Sequence, residues 1–456
     1  MRDLVFILFL CAMFWLGSRR PFLLILTYAY IDIVSPQRLT YLLLNSVPIS
    51  LIAFASSVGA WLIFDDKSDM RFSRRHPLLL LLLLYCFYTT AHADFPVDAA
   101  EKWSWVWKAL VFAMFLPLTL RTRLRIEALS LVMVLSAGAI IINGGLKTAL
   151  AGGGYGMLNL LGVQNNAGLY EGSIISTVAI CIMPLILYLS NHGTIFPPDW
   201  RVKLFAWGFC FACLLIPIGT EARTGLVCAA ILAGMMFLKA KRKALYATLG
   251  LFGLICAIPL LPSSFTSRMD TIANYQGDQS ASTRVQVWKW TVDYVRGHPL
   301  GGGFNAYISN SFRYQTVQRT VEPNGNVKVE FVTVEDHSRA YHSSYFEMLG
   351  EQGYLGLLMW LVLHIGTIVQ SYRIHRRYRD DDDPDRKWIG PYALAMGQGH
   401  VIYMIGSFFV GIAFQPFIFM MLALQIGLST YVRRLESAKD WRPVLPARNG
   451  AVARPT

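Results

Sequence analysis

Three residues of this sequence combine a reactive group with a position that a substrate can reach. His342 stands where a long polar stretch gives way to an apolar one, and an imidazole there titrates close to neutral pH. Arg223 lies in a turn of small residues, and Arg284 begins a stretch with helical spacing. Because a guanidinium group binds phosphate oxygens in pairs, these residues predict a proton acceptor beside a bound diphosphate. The plainer alternatives are a polar residue at a helix start and arginines that extend to the membrane surface.

The polar stretch itself predicts one helix close to the membrane surface. Val285, Trp288, Val292 and Val295 recur at helical spacing, and Gly297 with the residues after it ends the pattern. A tryptophan side chain suits the boundary between water and lipid, because its ring is apolar and its N–H needs a polar partner. We therefore expect an amphipathic helix at this interface, although an ordinary surface helix has the same pattern.

Three glycines follow His342 at three-residue spacing. Gly350, Gly353 and Gly356 would leave a smooth stripe on a helix. Such a stripe predicts close packing against another helix or a lipid chain.

The composition of the chain indicates the kind of fold that positions these residues. Hydrophobic residues make up 54% of the 456 residues and charged residues only 15%, and the mean hydropathy is +0.43. Since lipid cannot hydrogen-bond a bare backbone, apolar runs of about 20 residues predict membrane-spanning helices. We expect an all-α polytopic membrane protein with 12–13 transmembrane helices and one long extracytoplasmic loop containing short helices. The runs are 4–17, 21–34, 46–64, 76–92, 103–120, 126–143, 172–190, 203–219, 225–240, 244–261, 347–371, 390–408 and 411–431.

Lysine and arginine collect in alternate loops, which predicts the orientation of the chain. Short basic loops stay in the cytoplasm, so residues 93–102, 219–224 and 262–341 are expected on the outer face. The net charge of +13 then reflects topology, and no nucleic acid partner is implied. We divide the chain into N-terminal helices (1–143), helices with glycine-rich and arginine-bearing outer loops (144–261), a long outer loop (262–341), C-terminal helices (342–431) and a cytoplasmic tail (432–456).

Other motifs of the sequence lack the context that their chemistry needs. All seven cysteines lie within apolar segments, so disulfides are not expected. The acidic run 380–383 falls on the predicted cytoplasmic side and is expected to be a solvated loop. Glycines 152–154 are not followed by the Gly-Lys-Ser that would hold a nucleotide phosphate. We therefore predict no metal site and no cofactor.

The spacing after His342 resembles a known family. His342-Ser343, nine residues, Gly353, two residues and Gly356 fit the pattern of the O-antigen ligase family. Arg223 and the stretch that begins at Arg284 are similar to that superfamily, which also includes O-antigen polymerases and bacterial O-oligosaccharyltransferases. The opening 22 residues resemble the O-glycosylation ligases that accompany exosortase systems.

This resemblance implies a function, a donor and a location. Members transfer a glycan from an undecaprenyl-diphosphate carrier to an acceptor hydroxyl of a protein or lipid, with inversion and without a required metal. They act at the periplasmic face of the bacterial inner membrane. By this likeness His342 would activate the acceptor, while Arg223 and Arg284 would bind the diphosphate and stabilise it as it leaves.

Five further residues are predicted to bind the substrate. Glu347 would either orient the imidazole or bind sugar hydroxyls, unless it faces inward to satisfy an arginine. Asn165 would contact sugar, with a capped turn as the alternative. The full set is Arg339, Tyr341, Glu347, Trp288 and Asn165.

Two alternatives stay open at the level of the sequence. The first is a polymerase that uses the same donor to extend another lipid-linked chain. The second, of a different class, is a polysaccharide or lipid transporter, which would place ionisable residues near the middle of the bilayer. His364 and His400 are the residues that favour this second alternative, because both fall within predicted spans.

Overall fold

The protein is a bundle of α-helices, described here from a computed structural model. The structure describes residues 2–40, 47–67, 70–152, 160–162, 168–240, 242–244, 248, 279–321 and 327–437. Most of the span predicted at 244–261 lies outside these residues, as do Asn165, Gly153, Gly154, loop residues 262–278 and tail residues 438–456. The α-helices of the described part are α1 (Arg2–Arg19), α2 (Pro21–Val34), α3 (Ile49–Phe64), α4 (His76–Ala91), α5 (Pro96–Thr119), α6 (Arg123–Ala151), α7 (Gly172–His192), α8 (Trp200–Gly219), α9 (Arg223–Lys239), α10 (Gln279–Gly297), α11 (Ser344–Tyr378), α12 (Ile389–Gly406) and α13 (Pro416–Glu436).

The apolar runs of the sequence form these helices. Within the described residues, five helices are long and apolar enough to cross a membrane, namely α6, α7, α8, α11 and α13. Four shorter apolar helices accompany them, namely α2, α3, α4 and α9. Proline at the first turn begins several helices, because its missing N–H needs no partner there. The predicted all-α multi-pass membrane fold is confirmed.

The loops that were predicted to share one side of the membrane also contact one another. At one end of the bundle, the amide of Asp94 donates to the Gly302 carbonyl at 2.9 Å. At the same end, Asn305 donates through its side chain to the Asp98 carbonyl at 2.9 Å. At the opposite end, Arg125 makes a paired ion contact with Asp65 at 2.7 and 2.8 Å. We call the first end the outer end and the second the cytoplasmic end, following the predicted orientation.

The long outer loop contains one element that was predicted and one that was not. Helix α10 confirms the predicted helix, but its buried face differs from the predicted stripe. Val287, Thr291 and Val295 are buried, whereas Val285 and Val292 are 44% and 38% exposed. The spacing of apolar residues therefore located the helix but gave its buried face only in part, because Val295 of the predicted stripe is buried and Trp288 contacts α11, whereas Val285 and Val292 are exposed.

A two-stranded antiparallel sheet follows α10. Strand β1 (Ser311–Val321) pairs with β2 (Val327–His337), with Ser311 opposite His337. This hairpin was not predicted. It delivers the chain directly to His342 at the start of α11.

The glycines after His342 form no continuous stripe because the helix kinks at Gly353, although Gly356 lies against Tyr85 of α4 as the predicted close packing requires. Gly353 has φ +61°, a backbone conformation that residues with a side chain rarely adopt, and α11 kinks there. A Cβ atom there would overlap the Pro299 carbonyl oxygen. The amides of Gly302 and Gly303 donate to the carbonyls of residues 350 and 351, each at 3.0 Å. The glycines therefore let the segment after α10 dock on the kinked helix.

Candidate active site

His342 occupies a fixed, strained position at the start of α11. Its φ is 49°, in the left-handed region that costs free energy for a residue with a side chain. The next turn is pinned to the segment that follows α12. Ser344 donates its amide to the Ser407 carbonyl and its hydroxyl to the Val410 carbonyl, each at 2.8 Å. The same hydroxyl accepts the Ile412 amide at 2.9 Å. These bonds hold the backbone from which the imidazole projects.

The imidazole of His342 is exposed and lies in a positive field. Partial desolvation, and after it the charges of Arg284 and Arg339, lower the pKa of His342 below its ordinary value. Arg339 in turn forms an ion pair with Asp336 at 3.0 Å. A lowered pKa keeps the ring neutral at neutral pH, so one of its nitrogens can accept a proton. The predicted proton acceptor and one predicted diphosphate ligand are therefore neighbours.

Trp288 ties α10 to the residue before the histidine. Its indole N–H donates to the Tyr341 carbonyl at 2.9 Å. Its ring stacks on Phe346 with centroids 4.8 Å apart and meets Phe408 edge-on at 5.5 Å. This contact brings α10, which carries Arg284, against the start of α11. Trp288 thus has a packing partner on each side, and its predicted contact with substrate stays a prediction.

Tyr341 and Ser343, which flank the histidine, are both buried. Tyr341 is 3% exposed, and its ring meets Tyr307 edge-on at 5.8 Å. Ser343 is fully buried, and within the described part of the chain its hydroxyl makes no hydrogen bond. The side chain of Tyr341 therefore offers little surface to a substrate in this conformation, and its contact with substrate stays a prediction.

A buried ion triad lies below the histidine. Lys102 of α5 contacts Glu347 at 2.6 Å and both carboxylate oxygens of Glu351 at 2.8 Å. Glu351 also accepts the amide of Asn305 at 3.0 Å, and Glu347 accepts the amide of Ala413 at 3.2 Å. Glu347 therefore faces inward, which was one of the two alternatives for it, but its partner is a lysine and not an arginine. The triad joins α5, α11 and two outer segments at one point.

Lys102 was missed by the sequence analysis, although the sequence contains a signal for it. Basic residues are scarce on the predicted outer face, and a lysine at the start of an apolar helix there departs from that bias. Such a lysine needs a buried anion. The acids that follow His342 were candidates, but their distance along the chain from Lys102 gave no indication of contact.

Arg223 begins α9 at the same end of the bundle. In the preceding turn, Thr220 exchanges a hydrogen bond with Ser176 of α7 at 2.8 Å. The neighbouring Thr177 packs against Gly406 at the end of α12. Residue 407 binds the start of α11, so an unbroken series of contacts leads from the Arg223 turn to His342. The three predicted catalytic residues thus lie at the outer end.

A polar cavity of about 690 Å³ opens at the outer end next to the ion triad, and His342, Arg223 and Arg284 are not among the residues that line it. Its wall includes charged side chains of α5, among them Asp98, Lys102 and Lys108, with Trp105 from the same helix. Glu347 of α11 and residues 411, 412 and 414–416 also line it, together with residues of α2, of segment 168–170 and of the outer loop. Carboxylates, ammonium groups and aromatic rings together suit a ligand with many hydroxyl groups.

His364 and His400 are buried and bind each other. Nδ1 of His364 and Nε2 of His400 are 2.9 Å apart, joining α11 to α12. Each ring thus satisfies one nitrogen of the other, as polar residues do between membrane helices. In the described ranges, no group of three or more His, Cys, Asp or Glu side chains is placed to hold a metal ion.

Two families match separate parts of the chain. Residues 1–194 match a family of unknown function (DUF5935). Residues 208–361 match the family described as O-antigen ligase. No curated protein matches the chain. His342, Arg223 and Arg284 fall in the second match, whereas Lys102 falls in the first. The predicted resemblance to the O-antigen ligase superfamily is confirmed, while the placement near exosortase systems stays a prediction.

Proposed function

We propose that this chain, a multi-pass membrane protein whose residues 208–361 match the O-antigen ligase family, transfers a glycan from an undecaprenyl-diphosphate carrier to an acceptor hydroxyl at the periplasmic face of the bacterial inner membrane. The observation that carries the proposal is the position of His342. Its neutral imidazole lies at the end of a spanning helix, next to Arg284 and at the same end as Arg223. This is the depth at which a lipid diphosphate presents its phosphates.

The reaction is a single displacement. His342 accepts the proton of the acceptor hydroxyl, and the freed oxygen electron pair forms a bond to the anomeric carbon of the donor sugar. The bond between that carbon and the phosphate oxygen breaks, and the lipid diphosphate leaves with its electron pair. Because attack and departure occur in line, the anomeric configuration inverts.

Arg223 and Arg284 stabilise the leaving group. Negative charge grows on the diphosphate as the bond breaks, and fixed guanidinium groups bind it more tightly in the transition state than in the ground state. Two arginines on separate helices bracket two phosphates with paired donors. This positive charge is supplied by the chain itself, which supports a mechanism that needs no added metal.

The polar cavity supports the choice of a sugar as the transferred group. It borders Glu347, one turn below the start of α11, and it is lined by residues of both matched families. A volume of about 690 Å³ is within the range of small-molecule sites. In this proposal the N-terminal family contributes one wall of the glycan site.

A reconstitution experiment tests the proposed class of reaction. Proteoliposomes with purified protein receive a lipid-diphosphate-linked glycan with and without an acceptor, and released lipid diphosphate is measured. Release that depends on the acceptor supports transfer. Unchanged donor that crosses the bilayer would instead identify a transporter.

The same products separate a ligase from a polymerase. When single repeat units are supplied, one modified acceptor band on a gel identifies a ligase. A ladder of bands identifies a polymerase.

A further inference from the structure

A second polar cavity lies at the cytoplasmic end of the bundle, far from His342. It has a volume of about 410 Å³ and is formed by the start of α4 and the ends of α11 and α13. Five arginines and one carboxylate line it, namely Arg74, Arg75, Arg373, Arg377, Arg433 and Glu436. At about 1.5 Å of rise per residue, α11 separates this cavity from His342 by roughly 40 Å. The cavity is therefore independent of the proposed transfer reaction.

Two of these five arginines already bind groups of the protein itself. Arg75 points into the bundle, where Nη2 donates to the Gly366 carbonyl at 2.9 Å and Nη1 donates to the Thr367 hydroxyl at 3.2 Å. Arg377 pairs with Glu436 at 2.8 Å. Because the carboxylate is already engaged, it leaves most of the positive charge in the cavity unbalanced.

Among the residues that the structure describes, the other three arginines have no anionic partner. Arg74, Arg373 and Arg433 form no ion pair with any residue of the described segments. They come from three different helix ends that meet at this cavity. Like charges gathered in one concave space repel one another, so an anion bound between them would lower the free energy of the assembly.

We propose that this cavity binds the phosphate group of an anionic phospholipid. The cavity lies where spanning helices end, which is the depth of lipid headgroups. Basic pockets between membrane helices on the cytoplasmic side bind anionic headgroups, and guanidinium groups bind phosphate oxygens in pairs. Arginine in cytoplasmic loops also sets topology, but topology does not require several arginines to share one cavity.

The test compares lipid binding by two charge-matched variants of the full chain. The pocket pair is Arg373→Gln with Arg433→Gln. The control pair is Arg20→Gln with Arg376→Gln, which removes the same charge from exposed positions outside the cavity. Native mass spectrometry measures bound phosphatidylglycerol during titration. We expect the pocket pair to bind about tenfold more weakly and the control pair to bind within about twofold of the unaltered protein.

Two further measurements test the proposal even if one of these variants fails to fold. Arg373→Lys with Arg433→Lys keeps the charge but loses the paired donors, so we expect intermediate affinity. In the unaltered protein, phosphatidylglycerol should raise the unfolding temperature. Phosphatidylcholine and inorganic phosphate at equal concentration should not.

Three results would overturn the proposal. They are equal binding by the pocket pair and the unaltered protein, an equal loss in the control pair, and stabilisation by inorganic phosphate without stabilisation by phosphatidylglycerol. The last result would identify a soluble phosphate as the ligand.

Discussion

Replacement of Lys102 by methionine would leave two buried carboxylates without the cation that they share. The side chains of Lys102, Glu347 and Glu351 are 12%, 9% and 0% exposed, so water replaces little of the lost contact. Removing one partner of a buried ion pair costs about 3–5 kcal/mol, because the remaining charge stays desolvated. We therefore expect Lys102→Met to reduce the ratio of folded to unfolded protein by about 10²-fold or more.

The measurement is equilibrium unfolding in mixed micelles, followed by circular dichroism. Arg296→Met is the matched control, since Arg296 pairs with Asp293 at 2.8 Å but both side chains are largely exposed, at 71% and 68%. An exposed pair contributes about 0.2–1 kcal/mol. The control should therefore unfold almost like the unaltered protein.

A second substitution separates lost charge from lost packing. Adding Glu351→Gln to Lys102→Met removes one of the two stranded carboxylates, so the double variant should recover more than half of the lost stability. A Lys102→Met variant within about 1 kcal/mol of the unaltered protein would refute the reasoning. A double variant no more stable than the single one would also refute it.

The remaining predictions concern the site and the kink. Arg284→Lys keeps the charge but loses the paired donors, so initial rates of lipid diphosphate release should fall about tenfold or more, and an unchanged rate would contradict the diphosphate clamp. Turnover should fall as the pH drops through the pKa of His342, because the protonated ring cannot accept a proton. Since Arg284 lowers that pKa, Arg284→Gln should move the acid limb of the pH–rate profile to higher pH. A pH–rate profile with the same acid limb in both proteins would exclude the electrostatic contact. Gly353→Ala should lower the unfolding temperature because its φ is +61°. Gly366→Ala should not, because a Cβ atom there meets nothing within 4 Å. Equal changes in unfolding temperature would contradict the positive φ at residue 353.

The helices of this protein could be predicted because their signals are local. In lipid, the backbone of each apolar run must hydrogen-bond within the run itself, so the sequence of the run is sufficient to predict a helix. The helix around Trp288 was found for the same reason. Its buried face was found only in part: Val295 of the predicted stripe is buried, but so are Val287 and Thr291 outside that stripe, because burial depends on how α10 packs in the folded chain.

The hairpin was missed although the sequence contains a signal for it. Val327 and Val329 alternate with Lys328 and Glu330, which is strand periodicity, and an Asn-Gly pair precedes them in the sequence. The polar composition of the loop obscures this alternation, because charged residues occupy positions on both strands.

The ion triad and the kink depend on tertiary contacts that spacing alone does not show. Lys102 and Glu351 are far apart in sequence, and their contact requires α5 to lie against α11. Gly353 was recognised as part of a motif, but its positive φ follows from the docking of residues 299–303. By contrast, residue type and position were enough to select His342, Arg223 and Arg284 as candidates. All three lie at the outer end, and their catalytic roles stay predictions.

The most direct test of the central claim is the rate of acceptor-dependent lipid diphosphate release by His342→Ala. A positioned general base contributes about 10²–10⁴-fold, so we expect a loss in that range while circular dichroism and unfolding stay unchanged. His298→Ala is the control, because that histidine is also exposed on the outer loop but stacks on Tyr294, with ring centroids 4.3 Å apart. The account predicts that only the change at residue 342 removes transfer. Undiminished release by His342→Ala would contradict it.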